Sequence, residues 1–185
     1  MALARLKNDA VQNAYPGECE GSVILSADTV VWSPAPGQPE WNMQGNPHGF
    51  PIGQPQWQPQ GQPIGKPKDA DDARRMLRAL SGTSHFVVTG VMLRFSKAGR
   101  VRESLFAEET EVCFRPLSED EIDRYVKSGD PMDKAGAYGI QNLGSMLVES
   151  LRGDYFTVMG LPVCRLAQAL KRFGLDPLLG QEKKP

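Results

Sequence analysis

The run Val23-Ile24-Leu25-Ser26-Ala27-Asp28-Thr29-Val30-Val31-Trp32 constrains this chain more than any other segment. It is apolar and β-branched with almost no polar alternation, which predicts a strand buried on both faces of the kind found in α/β domains. Asp28 interrupts it. A carboxylate taken out of water costs several kcal/mol unless a cation, a metal or several backbone amides meet it. Two readings stay open at this point: a carboxylate that caps a helix or pairs with a lysine, and one that binds a metal or acts as a base on water.

The segment after the strand obeys different rules. From Ser33 to Pro67 there are nine prolines, six glycines and seven glutamines, and Glu40 is the one charged residue before Lys66. Proline removes backbone donors, and the loose repeats Gly37-Gln38-Pro39, Gly53-Gln54-Pro55 and Gly61-Gln62-Pro63 have the look of low complexity. The composition predicts a disordered insertion over residues 33–65 inside a single domain spanning 1–185. A spacer is the simplest role for it. Recruitment of an SH3-like or WW-like partner is the other, with Trp41, Phe50 and Trp57 as the aromatic residues that favour it.

The remaining segments alternate helix and strand signals. Leu3, Leu6 and Ala10 are spaced for a helix ending before Tyr15-Pro16-Gly17. Asp69 or Asp72 can cap a helix whose Ala73, Met76, Leu77 and Leu80 follow the helical repeat, with Gly82 at its end. His85–Phe95 and Arg102–Phe114 read as an antiparallel hairpin turning near Lys97-Ala98-Gly99. Ser118-x-x-Glu121 is a capping box opening a helix through Ile122, Tyr125 and Val126, which stops at Ser128-Gly129-Asp130-Pro131. Two strands about Arg152-Gly153-Asp154 read as a second hairpin, and Pro162 and Gly174 bracket a last helix. Together these predict an α/β fold, a mixed sheet with flanking helices.

Charge and cysteine usage exclude several classes. Lys and Arg total 21 against 22 Asp and Glu, a net charge of -1, so no global positive field gathers nucleic acid or an anionic membrane surface. No run approaches the roughly 18 apolar residues of a membrane span. Cys19, Cys113 and Cys164 lie far apart without metal-ligand spacing, and read as reduced thiols of a cytoplasmic protein. Any phosphate must therefore be held locally. Lys66 stands just before a helix start, where an ammonium can join first-turn amides around phosphate oxygens; a solvated surface charge is the plainer reading. Asp133-Lys134-Ala135-Gly136-Ala137-Tyr138-Gly139-Ile140-Gln141-Asn142-Leu143-Gly144 is a glycine-rich loop matching neither the P-loop nor the dinucleotide fingerprint. It is either a structural turn or a functional loop in which Gln141 and Asn142 read a base edge.

Taken in order, Ser26-Ala27-Asp28-Thr29-Val30-Val31, Lys66-Pro67, Ala73 through Gly82, Pro131 through Gln141 and Gly160-Leu161-Pro162 resemble the Maf (septum formation protein) pyrophosphatases. The likeness covers nearly the whole chain outside the Pro/Gln-rich segment. It implies a fold like that of Maf and inosine-triphosphatase proteins. It also implies hydrolysis of nucleoside triphosphates to the monophosphate and pyrophosphate with a divalent metal, magnesium or manganese. By that resemblance Asp28 is the catalytic proton acceptor and a metal ligand, and Lys66 is catalytic. Lys7, Thr29, Lys134 and Gln141 would then bind or select substrate. The Asp-Lys-Ala-Gly-Ala-Tyr-Gly-Ile-Gln form is similar to the branch acting on dTTP and UTP, and fits an inosine-triphosphate-type enzyme less well. The family also implies a homodimer. Its Ser-x-Ser-Pro-Arg-Arg loop and first strand are not among these residues, so the expected fold lacks that strand and loop, with apolar sheet edge left open. The competing expectation is a catalytically impaired remnant or isoform that acts as an interaction protein.

Overall fold

The computed structural model describes residues 1–34 and 61–178. Helices α1 (Ala2–Ala14) and α2 (Pro16–Cys19) precede strand β1 (Val23–Pro34), and β2 (Gly61–Ile64) follows. Helix α3 (Ala70–Leu80) leads into the long hairpin of β3 (Ser84–Lys97) and β4 (Arg100–Phe114). Helix α4 (Glu119–Lys127), three short 3-10 turns between Asp130 and Leu147, β5 (Val148–Arg152), α5 (Tyr155–Met159) and α6 (Val163–Arg172) complete the order. The strands form one sheet in the order β2-β1-β3-β4-β5, each pair antiparallel. Helices and strands are thus mixed as expected, while neighbouring strands run in opposite directions throughout.

Strand alternation divides the sheet into two faces. Val87, Thr89, Val91 and Leu93 of β3 point one way. Val31, Val87 and Phe114 pack there beneath Leu77 and Leu80 of α3 and Ile122 of α4, and further along Val91, Leu93 and Phe106 pack beneath Leu166 of α6. Helix α1 lies on the opposite face. Its buried Asn8 donates to the Ile24 carbonyl at 3.1 Å, and Ser26 donates back to the Ala4 carbonyl at 2.7 Å. An ion network of Arg94 with Asp9 and Glu103, joined by Arg5, fastens the same helix at its rim.

Several local signals act as their chemistry predicts. Asp69 caps α3 by accepting from the Asp72 amide at 2.8 Å, and Ser118 with Glu121 closes a reciprocal capping box on α4. The β3–β4 turn falls at Ala98-Gly99, and α6 ends before Gly174. Cys19, Cys113 and Cys164 are free. No helix among the described residues is long and apolar enough to cross a membrane.

Three expectations are corrected. Strand β1 is covered on both faces but incompletely: Ile24 on the α1 face and Val31 on the other are buried, Ser26–Val30 are only half-buried, and Leu25 is 43% exposed. Its side away from β3 is paired only over Val31–Pro34, so among the described residues Val23–Val30 form a sheet edge. Second, Gly61–Ile64 at the end of the Pro/Gln-rich segment form a strand, with Pro63 opposite Trp32. An edge strand tolerates the missing donor. Residues 35–60 lie outside the described residues, with the disorder expected there. Third, Arg152-Gly153-Asp154 is not a hairpin turn. Asp154 caps α5 by accepting from the Phe156 and Thr157 amides, and a β-carbon at Gly153, whose φ is +133°, would stand 2.7 Å from the Thr110 hydroxyl.

Candidate active site

Asp28 sits in the middle of β1, opposite Gly90, with its side chain on the α1 face. It is 19% exposed and its Oδ1 lies 2.7 Å from Nζ of Lys7, which also donates to the Ala27 carbonyl at 3.1 Å. Helix geometry explains why Lys7 arrives there: Ala4 and Asn8 anchor the buried stripe of α1, and Lys7, one turn beyond Ala4, flanks that stripe. The carboxylate anticipated to need a partner therefore has a cation, and that cation is one of the expected substrate-binding residues. Lys7 remains 57% exposed, so its ammonium still faces solvent at the strand edge.

Lys66 approaches from the edge itself. Strand β2 is antiparallel to β1 with Ile64 opposite Val31, so the chain after Ile64 heads back along β1 in the direction of Asp28 before entering α3. The glycine-rich loop is tied to the same place. The Gly136 amide donates to the Gly65 carbonyl at 3.0 Å, and Gly136 rests on the Val31 side chain. Val31 is three residues from Asp28, about 10 Å along a strand. Lys66 lies near enough to Asp133 to help hold that carboxyl below its ordinary range, after the hydrogen bond from Lys134.

Lys134 is engaged within its own loop. Its ammonium donates to the Asp130 carbonyl and to Asp133 Oδ1, each at 2.7 Å, and pairs with Asp130 Oδ1 at 3.3 Å. These contacts raise its pKa, the Asp133 hydrogen bond first. Gln141 is exposed beside this staple, at the residue preceding the 3-10 turn Asn142–Leu147. Thr29 points to the other face from Asp28. Its hydroxyl meets that of Thr89 at 2.8 Å, and Thr89 in turn donates to the Thr157 carbonyl, hooking α5 to the sheet. Asp28 with Lys7 thus lies on one face of β1, and the 130–141 loop is anchored at Val31 and Gly65 on the other, while among the described residues Thr29 joins neither cluster by a hydrogen bond.

Two groups near the loop escaped the sequence reading. The Tyr125 hydroxyl, on the buried face of α4, donates to Asp130 Oδ2 at 2.7 Å and accepts from the Gly139 amide at 3.3 Å. His85, fully buried on β3, shares a 2.7 Å hydrogen bond with the Tyr138 hydroxyl, and its ring packs edge-on against Phe114 and Tyr138. Burial pushes its pKa down to about 4. In the sequence both rings sit in apolar repeats and read as core, and only their polar atoms distinguish them.

The donor set bears on a metal. Among the described residues there is no group of three or more His, Cys, Asp or Glu side chains able to hold an ion. Asp28 offers a single carboxylate. A divalent ion there would take most of its ligands from outside the protein, since Asp28 Oδ1 is already paired with Lys7.

Comparison with known proteins gives a consistent picture. The family model described as "Maf-like protein" matches residues 1–173. A protein of Bacillus cytotoxicus named dTTP/UTP pyrophosphatase is 40% identical over 173 residues, covering 94% of this chain and 73% of the relative. Proteins of the same name from Agathobacter rectalis and Chromobacterium violaceum are 55% and 51% identical over 111 and 110 residues. Those two alignments cover 60% of this chain and 54% of each relative, so over them the chain spans just over half the relatives' length.

Proposed function

Since this chain belongs to the Maf family, we propose that it is a pyrophosphatase that hydrolyses dTTP and UTP to the nucleoside monophosphate and pyrophosphate. The observation that carries the reading is the Asp28–Lys7 pair, a carboxylate and an ammonium 2.7 Å apart in the middle of β1. Its relatives' names supply the substrate class.

The chemistry follows from what each group can do. Asp28 orients a water molecule and accepts its proton as the water oxygen bonds to the α-phosphorus. The bond from that phosphorus to the bridging oxygen breaks, and pyrophosphate leaves with the electron pair. Lys7 and Lys66 supply positive charge to the triphosphate oxygens, where charge grows on the leaving group. A magnesium or manganese ion held by Asp28 and the phosphates would offset that charge further. Gln141, exposed on its loop, donates and accepts toward a pyrimidine edge. Lys134 serves substrate binding by holding the loop through Asp130 and Asp133. Thr29 influences substrate choice through its contact with Thr89 and the Gly160 turn after α5. The same reading extends to a cytoplasmic homodimer, resting on family resemblance.

Hydrolysis of dTTP in heavy-oxygen water tests the reaction. Attack at the α-phosphorus leaves the label in thymidine monophosphate and none in pyrophosphate, as mass spectrometry would read. Label in pyrophosphate, or release of orthophosphate as first product, contradicts the mechanism.

A further inference from the structure

Tyr125 occupies an unusual position for a hydroxyl. It is 5% exposed on α4, within the apolar stripe it shares with Ile122 and Val126, where phenylalanine would fill the same space without a polar atom to satisfy. The hydroxyl is satisfied entirely by the glycine-rich loop. It donates to Asp130 Oδ2 at 2.7 Å and accepts from the Gly139 amide at 3.3 Å. A β-carbon at Gly144 would stand 2.8 Å from it and would also collide with the Gly139 carbonyl, so glycine is required for the loop to close on this oxygen. Burial first, and then the bond to Asp130, raise the phenol's pKa, so it stays protonated and remains a donor.

Two separated points of the loop, at residues 130 and 139, are thus bonded to one oxygen atom, and Gly144 passes beside it with no room for a side chain. Lys134 grips Asp130 from the other side. Gln141 lies two residues beyond Gly139 and three before Gly144, inside the span that these contacts close, and its own side chain is exposed. The backbone on either side of Gln141 is therefore held from below by α4.

We propose that Tyr125 is a positioning residue that sets the base preference of the site by fixing the loop that carries Gln141. The inference rests on the reading of Gln141 as the group facing the pyrimidine. Removing the hydroxyl leaves the ring packing in place but frees Gly139 and Asp130, so the loop samples positions in which the Gln141 amide no longer meets one base edge.

The test is the ratio of kcat/KM for dTTP to that for CTP in wild-type and Tyr125→Phe protein. The ratio should fall about tenfold, the factor carried by one ordinary hydrogen bond. Both rates come from one preparation, so loss of folded protein cancels. Asp130→Asn keeps an acceptor for the hydroxyl while weakening the pairing with Lys134, and should retain most of the preference. A Tyr125→Phe protein with lowered stability and an unchanged ratio would overturn the proposal and leave a merely structural tyrosine. Wild-type protein that releases no pyrophosphate from any nucleotide sinks the pyrophosphatase reading and this inference together, which distinguishes the two failures.

Discussion

At the scale of single residues, the molecule is governed by how buried polar groups are satisfied. Asp28 has Lys7, Thr29 has Thr89, and Thr89 has the Thr157 carbonyl. His85 is the case with a consequence for stability. Its folded-state pKa is lowered from 6.5 to about 4 by burial, so between those values the unfolded chain takes up a proton that the folded chain refuses. That contribution is fully present above pH 6.5 and is lost as pH falls towards 4, at up to about 1.4 kcal/mol per pH unit. Urea midpoints measured from pH 7 to 5 should fall for the wild type and stay flatter for His85→Gln. Equal slopes would show that His85 does not titrate this way. The sequence disclosed that Asp28 required a partner, because a carboxylate inside an apolar strand has few other options. It did not disclose which cation, since 21 positions separate Lys7 from Asp28 and the pairing arises only when α1 lies across the sheet. Tyr125 and His85 stayed hidden because an aromatic ring in an apolar repeat reads as core, and what its polar atom touches depends on segments far along the chain.

At the scale of elements, local chemistry was legible where one interaction decided the outcome. The Ser118–Glu121 box and the Asp69 cap are self-contained, and the helices begin at them. The Gly153-Asp154 pair was misread because turns and helix N-caps draw on the same residues, and the five-residue helix that follows is too short to show its period. Asp154 accepts from the Phe156 amide and, through Oδ2, from both the Thr157 amide and hydroxyl. Asp154→Ala should therefore cost about 1 kcal/mol, seen as a lower denaturation midpoint. An unchanged midpoint would remove the cap from the account. Strand β2 was concealed by its composition: Gly61-Gln62-Pro63-Ile64 has weak strand propensity, and it is the free edge of β1 that gives it a partner.

At the scale of the whole molecule, the central feature is a sheet whose second strand is paired along one side and only partly along the other. Among the described residues β1 is paired with β3 along its length and with β2 over Val31–Pro34, with α1 delivering Lys7 from one face and the 130–144 loop anchored at Val31 on the other. The α/β class and the order of segments could be read from the chain because apolar periodicity and caps report them directly. The register that sets Asp28 on the α1 face and ties the loop to Val31 and Gly65 could not, because it depends on pairing between distant strands. The measurement that tests the account most directly is pyrophosphate release by the 185-residue chain with magnesium or manganese, across dTTP, UTP, CTP, ATP, GTP and ITP, beside Asp28→Asn. The account predicts turnover of dTTP and UTP by the wild type and a fall of at least about a hundredfold in the variant, with both proteins folded by circular dichroism. Folded wild type without turnover, or a variant as active as the wild type, would contradict it.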